Sequence, residues 1–139
     1  ESKKKSLLDV HQSLLFWQRI NNLEIFSNTK NTLVRVVIPP SKCIDLMKYL
    51  ERNYKYYIDW CGSLFWIEIL DMNDEKFLTI KNYIAMLDGY LTVIKHSENS
   101  APLQDIFTIN EKRLHISKKI KESFDPKGIF NPGKMYRSI

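Results

Sequence analysis

The run Thr-Leu-Val-Arg-Val-Val-Ile at residues 32–38, stopped by Pro39 and Pro40, constrains this chain more than any other stretch. Its β-branched side chains suit a pleated surface, while two consecutive prolines remove two ladder donors. The run therefore reads as a strand that ends at Ile38. A helix follows at once, with Ser41 as candidate N-cap and Cys43, Leu46, Met47, Leu50 and Tyr54 recurring at the spacing of a single apolar stripe.

The same reading extends along the chain. Residues 55–60, Lys-Tyr-Tyr-Ile-Asp-Trp, and 64–70, Leu-Phe-Trp-Ile-Glu-Ile-Leu, are two strands joined by the short hairpin-type link Cys61-Gly62-Ser63. Asn73 or Asp74 caps a second helix with Phe77, Ile80, Ile84 and Leu87 on one face, and Gly89 provides a left-handed stop before a fourth strand at 90–95. The order βαββαβ in one short chain implies an α+β fold, a ferredoxin-like antiparallel sheet with helices packed on one face. Ahead of it, residues 7–26 have helical spacing, with Leu14, Trp17 and Ile20 in register before the polar break at 27–31. After it, residues 96–110 read as a loop and 111–124 as a third helix with a narrow stripe of Ile116, Ile120 and Phe124. The chain is thus one domain, with a connecting helix at 1–30, a ferredoxin-like core at 31–96 and a C-terminal helix and tail at 97–139.

Alternation splits the strands into two faces. Val34, Val36, Ile38, Tyr56, Ile58, Trp60, Phe65, Ile67, Ile69, Leu91 and Val93 form the helix-side core. Leu33, Arg35, Val37, Tyr57, Asp59, Trp66, Glu68, Tyr90 and Thr92 form the open face, a mixture of aromatic and charged groups. In a ferredoxin-like sheet the first and third strands are neighbours, so Arg35 is expected near Trp66 and Glu68, within reach of a cross-strand ion pair. One reading is an ordinary amphipathic face with one salt bridge. The other is an aromatic-walled surface on which Arg35 offers a planar fork to a ligand carboxylate.

Charge and composition narrow the function classes. A hydrophobic fraction of 44% and a charged fraction of 27% describe a folded domain with disorder expected only at its ends. The net charge of +5 permits contact with nucleic acid, an anionic membrane or an acidic protein, but the basic runs at 3–5 and 118–121 read as a terminal segment and a solvated helix face. The third strand lacks the basic-glycine-aromatic signature of RRM modules and the first offers no aromatic, so no nucleic-acid partner is expected. Cys43 and Cys61 form no CxxC pair and read as reduced cytosolic thiols. No apolar run approaches the roughly 18 residues of a membrane span, and the first ten residues lack the apolar core of a signal peptide. The chain begins without Met, as an excised or processed fragment would. His11, His96 and His115 have no metal-ligand spacing, Ser63 beside Gly62 lacks the nucleophile-elbow pattern, and the four glycines form no phosphate loop. No metal site and no self-contained catalytic set is expected, and the catalytic residues are left unassigned.

The last stretch, Phe-Asp-Pro-Lys-Gly-Ile-Phe-Asn-Pro-Gly-Lys-Met-Tyr at 124–136, is the most distinctive. Asp125 and Pro126 disfavour further helix, and Gly128 is conformationally permissive. Pro132 and Gly133 occupy the central positions of a type II turn that presents Asn131 and Lys134, while Ile129 and Phe130 look like anchors for something apolar. A helix followed by this stretch resembles the C-terminus of FAD-linked oxidases of the vanillyl-alcohol oxidase type, in which Asp-Pro, a glycine-containing link and Leu-Asn-Pro-Gly-Lys recur. Phe130 stands here in place of that Leu. "TLVRVVIPPS" and "YYIDWCGSLFWIEI" are similar to the C-terminal cap domain of glycolate oxidase FAD-binding subunits, so that the resemblance covers about residues 14–136.

The resemblance implies a division of labour. An N-terminal domain outside this chain would hold most of the FAD, the present domain would cap the isoalloxazine, and the tail would return to the flavin domain. Asn131, Pro132, Gly133 and Lys134 would then lie near the flavin domain or cofactor, and Arg35, Trp66 and Glu68 would face the substrate. The implied enzyme is an FAD-dependent oxidoreductase that converts a small 2-hydroxy acid such as glycolate to the 2-oxo acid, within a multi-subunit oxidase or dehydrogenase complex. The His-containing metal motifs of related catalytic subunits are lacking, which fits an accessory FAD-binding subunit, and the isolated chain is expected to hold little flavin and show no activity. The implied location is cytoplasmic, with peripheral contact at the inner membrane only through the complex. The alternative is a free-standing ferredoxin-like module that uses its open face for a ligand or a protein.

Overall fold

The structure, a computed structural model, describes residues 7–51, 53–97, 107–134 and 136. In order they form α1 (Val10–Asn21), β1 (Thr32–Val37), α2 (Cys43–Leu50), β2 (Lys55–Asp59), β3 (Leu64–Ile69), α3 (Asp74–Met86), β4 (Tyr90–Lys95) and α4 (Glu111–Phe124). The strands make one antiparallel sheet in the order β2-β3-β1-β4, the ferredoxin-like arrangement, with β1 at the centre.

Alternation decides which side is filled. Val34, Val36, Phe65, Ile67, Ile69, Leu91 and Val93 point to one face and are buried against Leu46 and Leu50 of α2 and Phe77, Ile80 and Ile84 of α3. Each fully buried aliphatic or aromatic side chain of this set contributes about 1.5–3 kcal/mol. Trp60 does not join them. The strand ends at Asp59, whose Oδ1 accepts the Trp60 N–H at 2.7 Å, and Trp60, Cys61 and Gly62 take φ of 49°, 52° and 89° in succession. The hairpin turn therefore throws Trp60 outward, where it is 57% exposed.

Three local expectations change in the same way. Pro40–Lys42 form a 3-10 turn, so Ser41 lies inside that turn and α2 starts at Cys43 without a side-chain cap. α2 stops at Leu50, leaving Tyr54 beyond the helix but still stacked on Tyr49 at 6.1 Å. At the end of α3, Asp88 and not Gly89 adopts the left-handed conformation, with φ of 57°. The N–H groups of Asp88 and Gly89 bond to the carbonyls of Ala85 and Ile84 at 3.0 and 2.9 Å, a Schellman closure. Gly89 is needed for space: a Cβ there would sit 2.6 Å from Ile38 Cγ2 and 2.9 Å from the Val37 carbonyl oxygen. Asn73 does cap α3, its Oδ1 accepting from the Lys76 N–H at 2.8 Å.

α1 and α4 lie outside the core. α1 is closed by a capping box, in which Asp9 Oδ1 accepts the Gln12 N–H at 2.8 Å and the Gln12 side chain accepts the Asp9 N–H at 3.1 Å. Neither helix buries a residue, and the Leu14 and Trp17 side chains of α1 are exposed. α4 is tied to the sheet edge where Phe107 bridges Thr92 and Thr108 N–H bonds to the Leu91 carbonyl at 3.0 Å. The rest of the expected 96–110 loop, residues 98–106, lies outside the described residues.

Candidate ligand site on the open sheet face

The register places Tyr57, Trp66, Arg35 and Thr92 in one row across all four strands. Arg35 and Trp66 are thus direct cross-strand partners. The Arg35 guanidinium lies over the Trp60 ring, 5.3 Å from its centroid, which the outward turn of the hairpin makes possible. Ser63 secures that turn by donating its hydroxyl to the Trp60 carbonyl at 2.7 Å.

The end of α1 roofs this row. Leu23, at φ 51°, reverses the chain after α1, and Ile20 and Leu23 close a cavity of about 210 Å³ whose other walls include Arg35, Tyr57, Trp60 and Trp66. Ile20, Leu23 and Tyr57 also line a neighbouring groove of about 910 Å³ that runs out past Phe16 and Ile25. Burial, with the nearby Asp59 charge adding to it, raises the Tyr57 pKa above its ordinary value, so the phenol stays a protonated donor.

Arg35 and Glu68 are not brought together. Glu68 pairs across the sheet with Leu33, one row from Arg35, and its carboxylate accepts from the Thr29 hydroxyl and, at 2.7 Å, from the Asn31 amide. Lys55 Nζ stands 3.8 Å from its other oxygen. The Thr29 hydroxyl first, then Asn31 and Lys55, hold the Glu68 pKa below its ordinary value against the opposing effect of burial. Lys95 adds a bond to the Thr29 carbonyl at 2.5 Å, so Glu68 knots the 27–31 connection onto the sheet. Among the described residues no carboxylate lies within ion-pair distance of Arg35. Its competitor for Glu68 sits 39 residues away in sequence at Thr29, where no local pattern announces it. The roof residues Ile20 and Leu23 were equally hidden, since only the reversal at Leu23 lays them over the sheet.

The tail forms a second, separate feature. Asp125 is buried and accepts the N–H of Ile129 on Oδ1 at 2.9 Å and that of Phe130 on Oδ2 at 2.8 Å, while Lys121 Nζ reaches Oδ2 at 2.5 Å. Lys121 also donates to the Phe130 carbonyl. The Lys121 bond first, then the two backbone bonds, lower the Asp125 pKa from 3.8 to about 2. Lys134 N–H closes the Asn131–Lys134 turn on the Asn131 carbonyl at 3.3 Å, with Gly133 at φ 68°. None of Asn131, Pro132, Gly133 or Lys134 lines the Arg35 cavity. Ile129 and Phe130 anchor nothing within the described chain: they are 66% and 67% exposed, and Ile116, Ile120 and Phe124 of the preceding α4 are exposed as well.

The segment that carries this tail matches a known family. Residues 107–135 fit the model of the FAD linked oxidases, C-terminal domain. Over 126 residues, 89% of its length, the chain is 26% identical to glycolate oxidase subunit GlcE of Escherichia coli (strain K12). It spans 32% of that relative's length. No solved structure matches it significantly. The chain therefore resembles an FAD-linked oxidase C-terminal domain both in its distinctive tail and along most of its length.

Proposed function

We propose that this chain is the C-terminal domain of a larger FAD-dependent oxidoreductase subunit, one that oxidises a 2-hydroxy acid, as a glycolate oxidase does, within a multi-subunit complex. The observation that supports it most is a coincidence of two features. The segment matching the family model, 107–135, is also where apolar side chains stand uncovered, from Ile116 through Phe124 to Ile129 and Phe130. Such a patch fits an interface with a folded partner, here the FAD-binding domain of the same full-length subunit.

The donors present fit one edge of a flavin and not the whole of it. The exposed Asn131–Lys134 corner offers a cation and turn amides, whereas the glycine-poor sequence holds no loop to cradle a diphosphate. Asn131, Pro132, Gly133 and Lys134 would accordingly touch the flavin domain or the cofactor, with most of the FAD held by the partner domain. FAD supplies the hydride acceptor for 2-hydroxy acid oxidation. This chain's own part is positional: Arg35 provides a charge-assisted fork for the substrate carboxylate, and Tyr57, Trp60 and Trp66 flank it. Location in the cytoplasm, at the inner membrane only through other subunits, goes with this reading.

The test is the full-length gene product. Purified intact, it is expected to show the visible absorbance of bound flavin and to be bleached by a 2-hydroxy acid. A coding sequence with no flavin-binding domain upstream, or an intact protein that stays colourless when reconstituted with FAD, would leave the free-standing ligand-binding module as the better account.

A further inference from the structure

The cavity beside Arg35 and the longer groove, of about 210 and 910 Å³, adjoin along the side chains of Ile20, Leu23 and Tyr57, which line both, and together they make one stretch of surface. Its ends differ in chemistry. At the inner end stands the Arg35 guanidinium, stacked on Trp60 at 5.3 Å and without an ion-pair partner among the described residues. Asp59 also lines that end, but its Oδ1 is turned to the Trp60 N–H at 2.7 Å. At the outer end the walls are Phe16, Ile20, Leu23 and Ile25, and the charged rim residues Arg19 and Glu24 are spent on each other at 2.6 Å.

We propose that this stretch of surface binds a monocarboxylate with an extended apolar chain, its carboxylate on Arg35 and its chain running under Leu23 toward Phe16 and Ile25. The inference rests on the preceding reading for the 2-hydroxy group alone, and it names the side chain of that acid as long and apolar. A two-carbon acid fills only the Arg35 end. Each further methylene leaves water for the groove, which is worth about fourfold in affinity.

The test uses the full-length protein and a homologous series of acids. Acetate, butanoate, hexanoate and octanoate are titrated while tryptophan fluorescence is read, since Trp60 and Trp66 wall the site. Affinity is expected to rise by about fourfold per methylene. Leu23→Asn keeps the left-handed turn, which Asn tolerates, and is expected to flatten that dependence. Arg35→Gln is expected to weaken every acid by the same factor. A dissociation constant that does not change from acetate to octanoate overturns the proposal, whether because the groove is filled by another segment or a second copy or because it takes no ligand. A chain-length dependence untouched by Leu23→Asn does so too. Turnover separates the two readings: if the series binds as expected while no 2-hydroxy acid reduces the flavin, the oxidase reading fails and the groove stands. If glycolate and 2-hydroxyoctanoate reduce it with equal KM, the groove fails and the oxidase reading stands.

Discussion

The Lys121 ammonium and the Asp125 carboxylate meet at 2.5 Å across the last turn of α4, and the whole tail hangs from that pair. Asp125 does what a C-terminal glycine alone cannot: it converts a helix end into a fixed launching point for Ile129 and Phe130. Replacing Asp125 by Ala removes both acceptors and leaves Lys121 only the Phe130 carbonyl. Amide exchange at Ile129 and Phe130 is expected to speed up by about tenfold or more, the value of one lost hydrogen bond, while β1 amides keep their protection. Hydrogen exchange read by NMR decides it, and unchanged protection at both amides would falsify the assignment.

The pH dependence has a definite sign. The Asp125 pKa is lowered in the folded chain from 3.8 to about 2, so its contribution is fully present above 3.8 and is lost as pH falls through 2. Glu68 behaves alike, its pKa being held below 4.5 chiefly by Thr29. An acid titration is therefore expected to release the tail as pH falls from 3.8 through about 2 and the 27–31 connection only below 4.5, with no matching change between pH 5 and 8. Resonances of Asn31 and Ile129 report the two events separately.

Glycine and aspartate at the end of α3 make opposite predictions. Gly89→Ala drives a methyl against Ile38, Ile84 and the Val37 carbonyl and is expected to cost about 1–3 kcal/mol. Asp88→Gly relieves a left-handed non-glycine residue and is expected to be neutral or to stabilise by up to about 1 kcal/mol. Thermal unfolding of the two variants, measured together, tests whether the roles are assigned correctly.

Glu68 and Arg35 also separate by experiment. Glu68→Ala leaves the Thr29 hydroxyl and Asn31 amide unsatisfied beside the sheet, and a loss of about 1–2 kcal/mol in chemical denaturation is expected. Arg35→Gln leaves no buried ion unpaired and is expected to alter stability little. In the flavin-containing full-length protein it is expected to raise the KM for the acid by about tenfold to a hundredfold, as loss of a charge-assisted hydrogen bond would. A KM within twofold of the parent removes Arg35 from the substrate site.

Much of the fold was legible because alternation is a local signal. The parity of Val34, Arg35, Ile67 and Trp66 follows from their own neighbours in sequence, and the sheet obeys it. Trp60 escaped because parity continues only while the strand does, and the Asp59 side chain ends the strand one residue earlier by capturing the next amide. Gly89 escaped for a different reason: its need is set by Ile38 and the Val37 carbonyl, a crowding that exists only after β1 and α3 have packed. The Arg35 site was half visible. Its cation and aromatic wall share a strand-level pattern, but the partner that draws Glu68 away and the roof at Ile20 and Leu23 come from chain reversals that leave no periodic trace.

The Phe107 and Tyr136 rings, 6.2 Å apart, have a meaning beyond packing. They bring together the two ends of the stretch that matches the family model, so helix and tail leave the sheet and return to it at one place. A segment with adjoining ends behaves as a cassette: it can be lengthened, exchanged or grafted onto another sheet without re-routing the chain that carries it. The part of this protein that looks outward can thus be exchanged as a unit, while the sheet beneath it keeps its register.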